Sequence, residues 1–223
     1  MGDVNLKGWV DSGQEAPGNE SWQNLKISKR GEMRIVDFIA EMLMQGRGYQ
    51  VRVGTIATGI AMQDVIADTV AEFCYDAATG LTIIPVQLGV AAREIATATT
   101  VQVALKGVGA VSSAGTAFTP LPLLQGGAAA SGSARAAAGA VTVTAELATT
   151  TRRIFEYENV LTEAPTTFRA GLDTLTVAAA AADLQYIGQG PACIYFQAAA
   201  TTAFPLYFAH LNVIELLTTS IGL

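Results

Sequence analysis

Residues 154–160 read Ile-Phe-Glu-Tyr-Glu-Asn-Val, a stretch in which aromatic and acidic side chains alternate. Successive side chains of a β-strand point to opposite faces, so this period of two predicts a strand that buries Phe155 and Tyr157 on one face. Glu156 and Glu158 then face solvent on the other. The same period recurs along much of the chain after residue 50, and it therefore decides the fold class.

Eight further segments have the period or the composition of strands. They are residues 49–53, 69–75, 81–90, 101–105, 141–147, 172–177, 192–197 and 206–217. Turn signals rich in glycine, proline or aspartate separate several of them, at Asp76–Gly80, Lys106–Gly109, Gly126–Gly127 and Gly188–Pro191. No segment between the predicted strands is a long helix of the kind that connects parallel strands. The pattern predicts a mainly β protein, either a sandwich or a barrel.

The first 47 residues lack this pattern and are predicted to precede the β domain, which then spans residues 48–223. Residues 1–30 are polar, with two isolated tryptophans, Trp9 and Trp22, and are interpreted as an extended N-terminal arm. Chain termini are ordered only when they dock on something. The two tryptophans are therefore expected to anchor the arm, either along its own domain or on a neighbouring subunit.

Two segments have helical features. Residues 32–45 carry apolar residues at helical spacing and are followed by Gly46, which predicts one short amphipathic helix packed on the protein's own core. Residues 62–75 also have an apolar face at that spacing, but their acidic residues four apart would repel each other in a helix. The β-branched and aromatic residues at 69–75 favour a loop followed by a strand.

Composition and charge narrow the possible partners. The 223 residues are 51% hydrophobic and only 14% charged, with a formal net charge of −6. Because globular domains typically have about 25% charged residues, the deficit predicts a surface shared between subunits. An acidic chain without a basic cluster argues against direct binding of nucleic acid. The first residues lack a leader pattern, which predicts synthesis in a cytoplasm-like compartment.

Residues 184–213 contain no Asp, Glu, Lys or Arg and resemble a membrane span in hydropathy. Gly188, Gly190, Pro191 and Pro205 interrupt the stretch, whereas a span needs about 20 continuous apolar residues. Two buried strands joined by loops are predicted instead, and no membrane partner is expected.

Residues 104–140 are dominated by Gly, Ala and Ser and carry only two charges, Lys106 and Arg135. Free linkers have such a composition, but this tract also holds apolar residues that linkers lack. These residues are Phe118, Leu121, Leu123 and Leu124. A long docked loop is therefore predicted, with the small uncharged side chains packed against another subunit near a symmetry axis.

The sequence offers little that is typical of catalysis or of metal binding. His210 is the only histidine, and alternation places it on one strand face with Phe208 and Asn212. The two cysteines, Cys74 and Cys193, lack the spacing of a zinc or redox motif and are expected to be buried thiols. No nucleophile elbow or phosphate-binding loop is present. No catalytic, cofactor-binding or metal-binding residue is predicted.

Glu156 and Glu158 are the one pair of carboxylates with a spacing suited to catalysis. Both are predicted on the same strand face, about 6.6–6.8 Å apart along the chain, within the range that glycoside hydrolysis uses. Their position on the solvent face, near Arg152 and Arg153, is typical of ordinary surface charges. The structural interpretation is favoured.

Four stretches carry a resemblance to a known class of protein. They are residues 71–88, the Gly-Thr-Ala-Phe-Thr-Pro loop at 115–120, residues 190–196 and the last strand at 208–215. Over about residues 54–217 the chain resembles the β-rich virion structural proteins of tailed bacteriophages. The resemblance implies a jelly-roll-like antiparallel sandwich that decorates or cements a capsid, or forms a minor head protein, often as a trimer.

The residues and the resemblance together lead us to expect a non-enzymatic virion protein that is made in the host cytoplasm. Its expected partners are copies of itself, as a homotrimer, and the major capsid or other virion proteins. The residues predicted at the subunit interface are Trp9, Trp22, Phe118, Leu121, Leu123 and Leu124. A heterologous contact repeated around a threefold axis closes a ring.

Two other functions stay open. A carbohydrate- or receptor-binding sandwich needs clustered exposed aromatic residues, and the only plausible ones are Tyr157, Tyr186 and Tyr207. A glycosidase needs Glu156 or Glu158 in a cleft with a raised pKa.

Overall fold

A computed structural model of the chain consists mainly of two antiparallel β-sheets that pack face to face. It describes residues 7–9, 22–24, 38–55, 58–94, 99–147, 149–161, 176–201 and 205–221. The predicted mainly β, jelly-roll-like sandwich with one short preceding helix is confirmed.

Fifteen strands and two short helices make up the described residues. In chain order they are β1 (Lys7–Trp9), β2 (Trp22–Asn24), α1 (Phe38–Met44), β3 (Gly48–Val53), β4 (Ile60–Ala61), β5 (Val70–Ala77), β6 (Leu81–Glu94), β7 (Thr99–Val108), β8 (Thr116–Phe118), β9 (Leu121–Pro122), β10 (Ser133–Thr142), β11 (Arg152–Leu161), β12 (Thr176–Ala180), β13 (Gly188–Gln189), β14 (Ala192–Ala200), β15 (Leu206–Leu217) and α2 (Thr218–Ile221).

The first sheet has the order β12-β6-β15-β3-β9, with β13 also paired to β6 and β4 to β15. The second sheet has the order β11-β7-β14-β5-β10-β8. The chain passes repeatedly from one sheet to the other, as from β5 to β6 to β7. These three consecutive strands therefore lie in alternate sheets, while strands distant in sequence, such as β6 and β15, pair side by side.

The core lies between the two sheets and is built from alternate residues of the central strands. Its largest fully buried side chains include Phe73 and Tyr75 of β5, Phe196 of β14, and Tyr207 and Leu211 of β15. The rings of Phe73 and Phe196 stack with centroids 4.9 Å apart, so the two middle strands of the second sheet are joined by aromatic packing.

Helix α1 covers part of the outer face of the first sheet. Ile39 and Met42 pack against a small cluster around Ile214 and Leu216. The helix ends with a Schellman motif, because Gly46 has a φ of +72° and Arg47 N donates to Met42 O at 2.9 Å. The predicted helix at 32–45 is confirmed over Phe38–Met44, and its predicted first turns at 32–37 lie outside the described residues.

The prediction of one long docked loop over residues 104–140 was wrong. The tract contains the end of β7, the short strands β8 and β9, and most of β10. Strand β10 pairs with β5 on one side and β8 on the other, so part of the tract is built into the second sheet. Its small residues are needed there: a Cβ on Gly132 would lie 2.6 Å from Cε1 of Tyr75. Pairing with β5 and β8 overrides the weak strand propensity of Ala and Gly in β10.

Three other strand boundaries differ from the predicted ones. The turn predicted at Lys106–Gly109 is strand as far as Val108, because β14 pairs with β7 along that length. The strand predicted at 141–147 ends at Thr142. The strand predicted at 172–177 is observed at Thr176–Ala180, and residues 172–175 lie outside the described part.

Several predictions are confirmed. The ambiguous segment at 62–75 is a loop followed by β5, and the turn signal at Asp76–Gly80 joins β5 to β6. Within residues 184–213, the described parts 184–201 and 205–213 contain β13, β14 and part of β15. Among the helices in the part of the chain that the structure describes, none has the length and apolar character to span a membrane.

Candidate assembly surface

An uncharged strip runs over residues 113–131, between the two charged residues Lys106 and Arg135. Most of its side chains are exposed, and the clear exceptions are the buried Pro120 and a few half-buried residues. Exposed segments of this length normally carry charges, which keep water in contact with the surface. The strip therefore has the composition expected of a surface that another chain covers.

Three leucines protrude from this strip. Leu121 is 46% exposed, Leu123 38% and Leu124 43%. We call residues 121–127 the leucine loop. Strand β9 pairs Leu121 with Gln50 of β3, and Leu123 N donates to Gly48 O at 2.9 Å. The loop is thus fixed to the sandwich by its backbone, and its apolar side chains are held at the surface.

The leucine loop adjoins the end of α1. A Cβ on Gly48 would overlap Leu43 of the helix and would lie 3.2 Å from Cδ1 of Leu123. A Cβ on Gly46 would contact Leu124. The glycines thus let the helix end and the loop approach each other closely. Met44, the last residue of the helix, is also exposed, at 56%.

Phe118 differs from the three leucines because it is partly buried. It lies in β8 opposite Ala134 of β10 and packs on the main core. It also lines a groove of about 480 Å³, together with Ile60 and Leu121, at the open edge between the sheets. Phe118 therefore supports the edge of the sandwich and offers less free surface than the leucines do.

Trp9 and Trp22 are cross-strand partners in the two-stranded ladder of β1 and β2. The sequence predicted both as anchors of the arm, and the structure places them directly opposite each other. Residues 10–21 lie outside the described part, and docking of the arm in cis or in trans stays a prediction.

The Glu156 and Glu158 carboxylates lie on the exposed face of β11, as the alternation predicted. Glu156 forms an ion pair with Arg153 at 3.3 Å, and Glu158 accepts a hydrogen bond from Gln102 Nε2 at 2.8 Å. Each is held by its own partner beside a shallow groove of about 410 Å³. This arrangement favours the interpretation as surface charges over that of a catalytic pair.

Arg153 also belongs to a stronger cluster at the outer face of the second sheet. Glu146 accepts hydrogen bonds from Lys106, which is only 4% exposed, and from Arg153. The hydrogen bond from Lys106 holds the pKa of Glu146 below its ordinary value, with a further contribution from Arg153, although burial opposes the shift. The cluster ties the segment after β10 to β7 and β11.

We expect the Glu146 cluster to make stability depend on pH. The folded-state pKa of Glu146 is lowered, so its contribution is present above the unfolded value, near 4.5, and is lost as pH falls through the folded one. Glu146→Gln should reduce the free energy of unfolding by about 1–2 kcal/mol at pH 7. Urea unfolding of both proteins between pH 7 and pH 3 checks this. A constant difference across that range would contradict it.

His210 lies on the outer face of the first sheet. Its imidazole covers Gly89 so closely that a Cβ there would overlap the ring, and Arg52 is its cross-strand neighbour. Burial lowers the pKa of His210. The next residue on this face, Asn212, bridges three strands by bonding Gln50 and Gln87. The surroundings of His210 are those of a packed sheet residue.

The three tyrosines proposed for a ligand-binding surface are not equivalent. Tyr207 is fully buried in the core, so its predicted exposure was wrong. Strand alternation puts it on the face opposite His210, toward the second sheet. Tyr186 packs over Gly107, where a Cβ would overlap its ring, and burial raises the pKa of its hydroxyl. Of the three, only Tyr157 lies on an edge strand, β11.

A polar cluster that the sequence analysis missed lies on the outer face of the second sheet. Cys74, Asp76 and Cys193 are buried, and one ligand-type atom of each lies within 4.8 Å of the others. Ser112 Oγ is 3.0 Å from Cys74 Sγ and donates to Asp76 Oδ2 at 2.6 Å. Burial, followed by the neighbouring Cys74, raises the pKa of the Cys193 thiol. The prediction of two buried thiols is confirmed.

Only the fold could reveal this cluster. Cys74 and Asp76 are two residues apart on one strand, which is a visible signal that they share a face. Cys193 joins them because β14 pairs with β5 in a register that places it opposite Asp76. That register links positions more than a hundred residues apart.

Comparison of the chain with protein-family models, with curated proteins and with solved structures finds no match.

Proposed function

We propose that this chain is a non-enzymatic virion structural protein, a capsid decoration or cement protein or a minor head protein, that assembles as a homotrimer. The observation that carries the proposal is the uncharged strip at 113–131 with its three exposed leucines. A β-sandwich of this kind also fits the class of bacteriophage protein that the sequence resembles.

Burial of the leucine loop would stabilise an assembly. Burying a leucine side chain fully contributes about 1.5–3 kcal/mol, so covering three half-exposed leucines in each copy favours association by several kcal/mol. The strip has no charge that would have to be desolvated. Patches of exposed apolar surface on soluble proteins commonly mark interaction sites.

The position of the strip at one edge of the sandwich supports a ring-forming contact between copies. The leucine loop lies beside β3, the strand next to the edge of the first sheet, and β8 is the edge strand of the second. A contact from this edge to a different face of the next copy is heterologous, and such contacts close into a ring when the rotation permits. The virion partners would then bind the outer surfaces of the ring.

Light scattering of the purified chain at micromolar concentration tests the assembly step. We expect the mass of a trimer for the wild type. Replacing Leu121, Leu123 and Leu124 together with serine should lower the mass about threefold. Each serine should change the stability of an isolated copy by no more than about 0.5 kcal/mol, since all three sites are on the surface.

A matched control changes three exposed apolar residues elsewhere, each more exposed than the three leucines. Leu147, Val160 and Ile187 are each more than half exposed and lie outside the leucine loop. Their triple serine variant should remain a trimer. A monomeric wild type, or loss of assembly in the control variant alone, would overturn the proposed assembly surface.

The place of the protein in a virion needs a separate measurement. Purified particles would be imaged by cryo-electron microscopy, and the sandwich would be fitted to density on the capsid or head. Density that accepts three copies around a threefold or local threefold axis is the expected result. Absence of the chain from purified particles by mass spectrometry would overturn the virion assignment even if the trimer exists.

A further inference from the structure

The cluster of Cys74, Asp76 and Cys193 has the chemistry of a metal site. The two thiols and the carboxylate are at most 4% exposed and converge within 4.8 Å. Two sulfur ligands with one oxygen ligand suit zinc, which binds Cys, His and carboxylate ligands in tetrahedral geometry. Calcium and magnesium prefer sites built from oxygen alone.

We propose that Cys74, Asp76 and Cys193 bind one Zn²⁺ ion, with the Ser112 hydroxyl or a water molecule as the fourth ligand. The proposal concerns the outer face of the second sheet and does not depend on the assembly surface. It assigns a structural metal to residues that lie far apart in the sequence.

The distances are close to those of a tetrahedral zinc site. Zinc–sulfur bonds of about 2.3 Å and zinc–oxygen bonds of about 2.1 Å place sulfur and oxygen ligands about 3.6 Å apart. Cys74 Sγ and Asp76 Oδ2 are 3.8 Å apart. The upper limit of 4.8 Å within the cluster leaves about 1 Å to be closed by side-chain rotation. Ser112 Oγ already contacts both of these ligand atoms, so it is placed to become the fourth ligand.

The charges around the cluster are also compatible with a bound Zn²⁺ ion. Binding releases the two thiol protons to solvent and leaves two thiolates and one carboxylate around the divalent ion. The remaining negative charge is balanced by Arg135, whose Nε lies 3.8 Å from Asp76 Oδ2. This Nε is buried and has no hydrogen-bond partner among the described residues. Buried charges need such compensation, and the cluster together with Arg135 stays neutral when the ion binds, because two protons leave for one divalent cation.

The ion would join three parts of the chain. Cys74 and Asp76 lie on β5, Cys193 lies on β14, and Ser112 belongs to the loop after β7. Ser112 N also donates to Asp76 Oδ1 at 2.8 Å, so the loop is already docked on the carboxylate. Zinc bound there would hold this loop against the sheet, beside the apolar cluster that contains Val141 and Val143.

The test uses the full chain, purified with reduced thiols, stripped with a chelator and then dialysed against zinc chloride. About one equivalent of zinc should remain by elemental mass spectrometry, and the unfolding temperature should rise by several degrees. Cobalt chloride should give the intense visible bands of tetrahedral Co²⁺ and a sulfur-to-metal charge-transfer band. A wild type that retains no zinc and gives no such bands would overturn the proposal.

Variants identify the ligands. Cys193→Ser should lose most of the bound zinc and the charge-transfer intensity, and Asp76→Asn should weaken binding at least tenfold. Asp64→Asn changes an exposed carboxylate and serves as the control that should bind as the wild type does. Circular dichroism establishes that each variant is folded. A folded Cys193→Ser variant with undiminished zinc and cobalt spectra would also overturn the proposal.

Discussion

Replacing Glu215 with alanine should lower the free energy of unfolding by about 3–5 kcal/mol. Glu215 is a carboxylate on β15 that is 3% exposed and connects the two sheets. It accepts a hydrogen bond from Tyr75 Oη of β5 at 2.6 Å, and others from the backbone of Ser131 at 3.0 Å and Gly132 at 2.7 Å. Alanine leaves these three donors without their acceptor, and two of them, Tyr75 Oη and Gly132 N, are buried.

Two further variants show how much of the loss for Glu215→Ala comes from its buried hydrogen bonds. Tyr75→Phe removes one donor but leaves the two backbone bonds to Glu215, so it should cost only about 1–2 kcal/mol. Glu158→Gln changes an exposed carboxylate and should cost less than about 0.5 kcal/mol. Thermal unfolding should show a decrease of about 6–20 °C for Glu215→Ala. A decrease no larger than that of Tyr75→Phe would show that Glu215 does not hold the sheets together.

Glu215 also marks a limit of sequence reasoning. The strand that contains it was predicted, because residues 206–217 have the composition of a strand. Its inward position follows from alternation along β15, because Tyr207, Leu211 and Val213 are also buried in the core, and the extra residue of the bulge lies on β6. The sequence analysis did not assign this face to the core because it treated Tyr207 as exposed. The residues around Glu215 give no sign that a tyrosine hydroxyl from the other sheet and two backbone N–H groups donate hydrogen bonds to it.

Strands were predictable where the side chains themselves carry the signal. Alternation identified β11, and the Asp76–Gly80 turn identified the connection from β5 to β6. The strand β10 was missed because Ala, Ser and Gly have weak strand propensity, and it forms only since β5 and β8 supply hydrogen-bonding partners. Pairing between distant strands is a property of the fold, and one sequence does not reveal it.

The candidate assembly surface was predictable in part. Leu121, Leu123 and Leu124 stood out because apolar residues in an uncharged tract need something to cover them, and all three are exposed. The same reasoning selected Phe118, which is largely used by its own core. Composition identifies residues that need burial, but whether the burial comes from the same chain or from another depends on the tertiary structure.

Phe196→Ala should lower the free energy of unfolding by about 3–5 kcal/mol. Phe196 is fully buried on β14, which pairs with β5 and β7 in the middle of the second sheet. Its ring stacks on Phe73 at 4.9 Å and approaches Tyr207 of the first sheet at 6.1 Å. Truncation leaves a cavity that rigid neighbouring strands close only in part, and it removes aromatic contacts worth about 0.5–1.5 kcal/mol each.

The chain offers a matched control for this truncation. Phe155 is also a phenylalanine that packs on the core, but it is half-buried and lies on β11, an edge strand of the same sheet. An edge site can relax and admit water, so Phe155→Ala should cost clearly less, about 1–2 kcal/mol. Urea unfolding of both variants gives the comparison, and the dependence on denaturant should remain that of the wild type. Equal losses for the two variants would mean that β14 is not the rigid centre of the sandwich.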